Sequence, residues 1–215
     1  MKYRNSQYHG NNMSFIDMLF NIIIVFALLF FIAILLMNPP TKKKDIEAKA
    51  DLIITMTWAD NSPHDIDLWV HPPEGHNIGY TSKENSYIFL DRDDLGIINN
   101  YIIKEGETKQ LLPTRREVIS FRGKQPGRYI VNAQLFAAKD DAGTPLADYN
   151  GVAVPVVIEL IQINPVYKIL SRKELVLSDF KEEKTAFSFI IVGETITQID
   201  TETKQLFITR QLGTE

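Results

Sequence analysis

Three polar side chains interrupt a long apolar stretch near the N-terminus: Ser14, Asp17 and Asn21. Their spacing of i, i+3 and i+7 places them on one face of a helix. A carboxyl group in a low-dielectric site favours its neutral form, so it can take up a proton on one side of a membrane and release it on the other. Asp17 is therefore a candidate ion carrier for H⁺ or Na⁺, and Asn21, one turn away, is a candidate supporting residue.

A second group of acids lies further along the chain. The candidate Ca²⁺ ligands are Asp65, Asp67, Asp91 and Asp93, because alternate residues share one face of a strand and Ca²⁺ prefers oxygen ligands. The alternative is that these aspartates are strand-end and turn residues, solvated or paired with arginines. Three histidines in the same region, His64, His71 and His76, lack a fixed ligand spacing and do not predict zinc.

Composition excludes several classes of function. The chain has no Cys, which removes thiol nucleophiles, thiolate metal sites and disulfides. The first forty residues contain only Lys2, Arg4 and Asp17 as charged residues, so the remainder carries a net charge of −5 and is a poor candidate for binding nucleic acid. No Gly-x-Ser-x-Gly, Walker, His-Glu-x-x-His or dinucleotide motif is present, and the sequence predicts neither an enzyme nor a bound organic cofactor.

The apolar stretch predicts one transmembrane helix over residues 14–37. Its 24 residues would extend about 36 Å as a helix, against a bilayer core of about 30 Å. A signal peptide is the competing interpretation, but the apolar run is longer than the usual one, and Asn38-Pro39-Pro40 follows instead of a cleavage site. The predicted organisation is a tail over 1–13, the helix, a linker over 38–50 and a domain over 51–215.

Asp17 has a second interpretation that involves no transport. Ser14 followed by Asp17 is also a helix N-cap pattern, in which the acid is favourable at the positive end of the helix dipole. Counted back from Met37, Asp17 also lies where a side chain could reach the membrane interface. Both interpretations stay open at the level of the residues.

The remainder predicts an all-β domain of antiparallel sandwich type, with a jelly-roll or immunoglobulin-like arrangement. Runs of β-branched and aromatic residues are separated by Pro, Gly and Asp clusters. The predicted strands are Leu52–Trp58, Ile66–His71, Tyr87–Leu90, Glu117–Phe121, Tyr129–Phe136, Val152–Ile163, Lys184–Val192 and Thr195–Thr209. The last segment, Glu194–Gln211, predicts a hairpin centred on residues 200–204, a possible pairing edge between two subunits.

The N-terminal pattern resembles a known family. A short polar tail, then Phe15-x-Asp17-x-x-Phe20-Asn21 opening a single span, then a larger domain, is similar to the B-subunits of ion-driven motors, the group of MotB, ExbD, TolR and ZorB. The resemblance covers about residues 14 to 40. It implies that Asp17 takes up and releases the translocated ion, and it assigns no role to Asn21.

The same resemblance implies partners and a location. It implies a pentamer of multi-span MotA-, ExbB- or TolQ-like subunits around two copies of this chain in the bacterial inner membrane. The N-terminus would be cytoplasmic and the C-terminal domain periplasmic. The flanking lysines, Lys42, Lys43, Lys44 and Lys49 against Lys2 and Arg4, favour the reverse orientation by the positive-inside rule, although large translocated domains weaken that rule.

The β domain carries a looser resemblance. Asp65-Ile-Asp67-Leu-Trp-Val-His-Pro-Pro-Glu-Gly75 and Pro126-Gly-Arg-Tyr-Ile-Val131 are similar to patterns in bacterial extracytoplasmic β-sandwiches such as pre-peptidase C-terminal domains. This implies a fold and a location, not an activity. The Asn-x-x-Leu-Ser-x-x-Arg-Ala pattern of OmpA-like peptidoglycan-binding domains is missing, which argues against cell-wall anchoring through that fold. The alternatives are that the domain dimerises, binds another envelope component or binds glycan.

Overall fold

A computed structural model describes residues 10–37, 49–98, 100–102 and 110–208. The chain divides into two compact units, Met1–Glu47 and Ala48–Glu215. Most of the predicted N-terminal tail and most of the predicted linker lie outside the described residues.

In the described part of the first unit there is one helix, α1, which runs from Gly10 to Met37. Its segment Met13–Ile34 has a mean hydropathy of 2.7, and all of its side chains are exposed. This segment is long and apolar enough to cross a membrane, and it is compatible with a membrane anchor or a signal sequence.

The second unit is an antiparallel β-sandwich. One sheet has five strands in the order β3-β6-β1-β8-β9, the other has four in the order β11-β10-β7-β2, and β4 and β5 form a small separate pair. The strands are β1 Leu52–Trp58, β2 His64–His71, β3 Ile88–Arg92, β4 Tyr101–Ile102, β5 Gln110–Leu111, β6 Arg115–Phe121, β7 Gly127–Ala138, β8 Val154–Gln162, β9 Lys168–Leu177, β10 Glu183–Val192 and β11 Thr195–Asp200, with a 3₁₀ turn at Ala147–Tyr149.

Alternating apolar side chains fill the space between the two large sheets. In β1 every second residue from Leu52 to Trp58 is buried, as expected for a strand with one face on a core. The rings of Tyr129 and Phe189 stack with centroids 4.9 Å apart, and Phe121 packs edge-on against both. Strand β2 is buried on both faces, because Trp69 packs in a second cluster with Ile130, Phe207 and Ile208.

The predicted fold class is confirmed: one N-terminal apolar helix precedes an all-antiparallel β domain of sandwich type. Three strands were missing from the prediction: the two-residue strands β4 and β5, and the ten-residue strand β9. Strand β9 is the outer strand of the five-stranded sheet, and most of its side chains are exposed or half-buried. Charged residues interrupt the run of β-branched and aromatic residues by which the other strands were predicted. Such residues are common on edge strands because they discourage pairing with other chains.

The predicted C-terminal hairpin around residues 200–204 is wrong. The hairpin instead joins β10 to β11 through Gly193 and Glu194, with Val192 paired to Thr195 and Gly193 at a φ of 59°. A two-residue loop of this kind favours positive φ, which glycine adopts without steric cost. After β11 the described chain does not reverse but continues along β10 in the same direction, and the Thr185 hydroxyl bonds both to the amide and to the carbonyl of Gln205.

Candidate functional site

The helix face predicted to carry the ion is present in α1. Ser14, Asp17 and Asn21 line one depression along the helix together with Val25 and other apolar side chains. Asp17 and Asn21 are exposed, and they are one helical turn apart.

The capping interpretation of Ser14 and Asp17 is wrong. Because α1 begins at Gly10, Ser14 lies inside the helix, and the first turn contains no acid. Asp17 is about 10 Å beyond the start of the helix at 1.5 Å per residue, whereas the favourable effect of the helix dipole on an acid fades within the first turn.

A second site lies in the β domain, where three carboxylates meet. One oxygen each from Asp67, Asp93 and Glu117 lies within 4.8 Å of the other two. They come from different elements: Asp67 from β2, Asp93 from the segment after β3, and Glu117 from β6. The group therefore joins the four-stranded sheet to the five-stranded sheet.

Glu117 is the member that the sequence prediction missed. Its carboxylate accepts hydrogen bonds from the amides of Leu68, at 2.6 Å, and Asp94, at 3.3 Å. Leu68 belongs to β2, the edge strand of its sheet, so Glu117 satisfies a donor that the sheet itself leaves open. The signal in the sequence is the alternation Glu117, Ile119, Phe121, which puts an acid on the apolar face of β6.

The neighbouring acid Asp94 holds the loop after β3 in place. It is fully buried, and its oxygens accept hydrogen bonds from the amides of Gly96 and Arg116 and from the side chains of Asn100 and Arg92. Gly96 has a φ of 70°, and a Cβ there would lie 2.7 Å from the carbonyl oxygen of Pro63. Only glycine allows this close approach, which brings the loop after β3 against the start of β2.

Asp65, the second β2 candidate, lies beside the three-carboxylate group. Lys139 Nζ is 3.2 Å from one of its oxygens, and the side chain is buried. Burial raises the pKa of Asp65 to about 6, although Lys139 opposes the shift.

The fourth candidate, Asp91, is directed elsewhere. Its carboxylate pairs with Arg122 at 3.1 Å and is partly exposed. A bulge in β3 places Asp91 between Leu90, which pairs with Ile119, and Arg92, which pairs with Val118. The extra residue breaks the simple alternation, and alternation alone therefore did not place this side chain.

The three histidines of the β domain do not converge. His64 Nδ1 lies 2.8 Å from Ser62 Oγ, His71 Nδ1 lies 2.6 Å from Asn77 Oδ1, and His76 Nε2 lies 3.2 Å from the carbonyl oxygen of Glu84. Within the described part of the chain, no group of metal-ligating residues contains a histidine.

His64 is expected to make the domain less stable in mild acid. Burial lowers the pKa of His64 below its ordinary 6.5, and a hydrogen bond with the Tyr149 backbone opposes this only in part. His64 in the unfolded chain therefore binds a proton that His64 in the native state does not. As a result, stability falls as the pH drops through the pKa that His64 has in the unfolded chain. When the pH is lowered from about 7.5 to about 5.5, the free energy of unfolding of the wild type should fall by up to about 1 kcal/mol more than that of His64→Asn.

The measurement is urea denaturation of the full chain in detergent, followed by fluorescence of Trp58 and Trp69, both buried in the β domain. Asparagine can keep a polar contact with Ser62 but does not titrate. Equal losses of stability in the two proteins would contradict the expected role of His64.

Comparison with known proteins adds no relative to this picture. No protein-family model matches the chain, and no curated protein matches it significantly.

Proposed function

We propose that this chain is the B-type subunit of a proton-driven motor in the bacterial inner membrane. In this proposal Asp17 carries the ion, and the β domain couples the motion to a target in the cell envelope. The chain acts as an ion-driven transport subunit and not as an enzyme.

The observation that carries the proposal is a single carboxylate on an apolar helix. Asp17 is the only charged side chain between Met13 and Ile34, and it lies on the same face as Asn21. A charged group in such a segment costs a few kcal/mol to insert, so it is normally retained for a function and faces a partner or a water path.

The chemistry follows from the change of charge on Asp17. When the carboxyl group is neutral it is compatible with an apolar surface, and when it is ionised it favours a polar one. Uptake and release of a proton on opposite sides of the membrane therefore change which partner surface Asp17 prefers. A partner with two such surfaces converts the ion gradient into rotation or sliding.

One helix cannot enclose a water path, so the proposal requires a partner. In line with the family resemblance, two copies of this chain would lie inside a ring of five multi-span subunits. The N-terminus would be cytoplasmic and the sandwich periplasmic, where it could pair with the second copy and contact the envelope target.

The proposal predicts a stable complex. Purification of the tagged chain from membranes of its native host in mild detergent should recover a multi-span protein in a ratio of about five to two, as expected for a closed ring around a dimer. Mass measurement of the intact complex gives the ratio.

Two results would contradict the proposal that the chain is a motor subunit. A monomer in mild detergent would favour the alternative, a membrane-anchored β-sandwich that binds a ligand and transports no ion. A reporter that is active only in the cytoplasm, fused after Glu215, should be inactive, and its activity would place the sandwich on the wrong side of the membrane.

A further inference from the structure

The three-carboxylate group in the β domain has the dimensions of a cation site. The ligand oxygens of Asp67, Asp93 and Glu117 lie within 4.8 Å of one another. Two oxygens on opposite sides of a Ca²⁺ ion are about 4.6 to 5.2 Å apart at the usual Ca–O distances. An ion can therefore contact all three carboxylates without a large movement of the backbone.

A buried oxygen in this group lacks a partner. Asp67 is 3% exposed, and within the described part of the chain its Oδ2 has no hydrogen-bond partner. A buried polar atom without a partner is unfavourable, and such atoms in native proteins commonly mark an ion or a water.

The nearby cations pair with one member of the group, Asp93, and with two acids beside it, Asp65 and Asp94. Lys139 pairs with Asp65, Lys83 pairs with Asp93 at 2.9 Å, and Arg92 pairs with Asp94 at 3.3 Å. Among the described residues, no Lys, Arg or His side chain lies within ion-pair distance of Asp67 or Glu117. The two most deeply buried carboxylates of the group, Asp67 and Glu117, thus have no ion-pair partner in the part of the chain that the structure describes.

The competing possibility is that the buried carboxylates are neutralised by protons and not by a cation, and burial favours protonation. Burial and the charge of Asp65 raise the pKa of Asp67, while burial and the charge of Asp67 raise the pKa of Glu117. Glu117, however, accepts two backbone amide hydrogen bonds, which favour a charged carboxylate. These amides hold the carboxylate in an orientation suited to an ion.

We propose that Asp67, Asp93 and Glu117 bind a divalent cation of the Ca²⁺ class. Three carboxylates with no nitrogen or sulfur ligand select a hard ion, and Ca²⁺ tolerates the irregular geometry that ligands from separate elements impose. The ion links β2 in one sheet to β6 in the other sheet and to the segment that follows β3. It therefore stabilises the sandwich, and this role is independent of ion transport through Asp17.

The test is calcium-dependent stability of the full chain in detergent. After treatment with EDTA, thermal unfolding is followed by fluorescence of Trp58 and Trp69, which both report on the sandwich. Addition of about 5 mM CaCl₂ should raise the unfolding midpoint by about 3 to 6 °C, if the site has the roughly 10⁻⁴ to 10⁻³ M affinity of extracellular modules. NaCl at matched ionic strength should not reproduce this shift.

Two variants locate the effect. Asp67→Asn should remove the calcium shift and should be at least as stable as the wild type in EDTA, because it removes one of two repelling buried acids. Asp91→Asn is the matched control, since Asp91 lies on β3 beside the site but pairs with Arg122, and it should keep the full shift.

The outcomes distinguish a bound cation from a shared proton. An equal midpoint of the wild type in EDTA, CaCl₂ and matched NaCl would overturn the proposal in favour of a proton shared between Asp67 and Glu117. A calcium shift that persists in Asp67→Asn would also overturn the assigned ligands. If Asp67→Asn does not fold, Glu117→Gln and the wild-type comparison of CaCl₂ with NaCl give the same decision.

Discussion

Replacement of Asp17 by asparagine is expected to abolish ion transport by the assembled complex. The amide has nearly the shape of the carboxyl group but cannot take up or release a proton near neutral pH. The uncharged side chain also removes the cost of placing a carboxylate in an apolar segment, so insertion and assembly should be unchanged. Loss of transport with intact assembly separates a carrier from a structural residue.

The measurement uses proteoliposomes that contain the purified complex and a pH-sensitive dye, under an imposed membrane potential. Proton flux should fall by at least about tenfold in Asp17→Asn, while Asp17→Glu, which keeps a titratable carboxyl group, should retain part of it. Ser14→Ala is the matched control on the same helix face and should transport like the wild type. A parallel experiment with a sodium gradient identifies the ion.

The opposite result has a clear meaning. If Asp17→Asn transports ions at the wild-type rate, or if the wild-type complex transports none, Asp17 is not a carrier. The anchored binding module would then describe the protein better. That result would leave the proposed cation site untouched, because its three ligands all belong to the β domain.

The second large effect is expected for Arg115→Met, which should destabilise the β domain by about 3 kcal/mol. Arg115 is 1% exposed, and its guanidinium donates to the carbonyl oxygens of Ser62, at 2.7 Å, and Leu112, at 3.0 Å. Methionine fills much of the same space but cannot donate a hydrogen bond, so buried acceptors lose their charged donor.

The adjacent Arg116 provides a matched control. Its side chain is exposed, so Arg116→Met should change stability by no more than about 0.5 kcal/mol. Urea denaturation with tryptophan fluorescence measures both variants under the same conditions. Similar stability of Arg115→Met and Arg116→Met would mean that the buried guanidinium contributes little to the fold.

Much of the fold could be predicted from local patterns. The alternation in Leu52–Trp58 predicts β1 with its observed ends, and the apolar run predicts the helix, because both signals repeat within a few residues. Strand β9 was missed for a related reason. Where a strand is exposed at a sheet edge, burial no longer marks alternate residues, and the local pattern weakens.

The acidic site could be predicted only in part. Asp65 and Asp67 stand out because they alternate in one strand, and both are buried in the structure. Glu117 lies fifty residues away, and Asp91 is turned aside by a bulge. Which acids meet depends on how β2, β3 and β6 pack against one another. The local spacing of residues does not show which acids from separate strands lie close together.

The sequence by itself determined the class of the protein: an apolar helix with one carboxylate, followed by a β domain without thiols or recognisable catalytic motifs. Those properties depend on residue type and short-range spacing. Only the tertiary structure decided that Asp67, Asp93 and Glu117 converge while Asp91 does not. It also placed Ser14 inside a helix that begins at Gly10. Such outcomes depend on contacts between distant residues and on where the backbone hydrogen bonds begin and end.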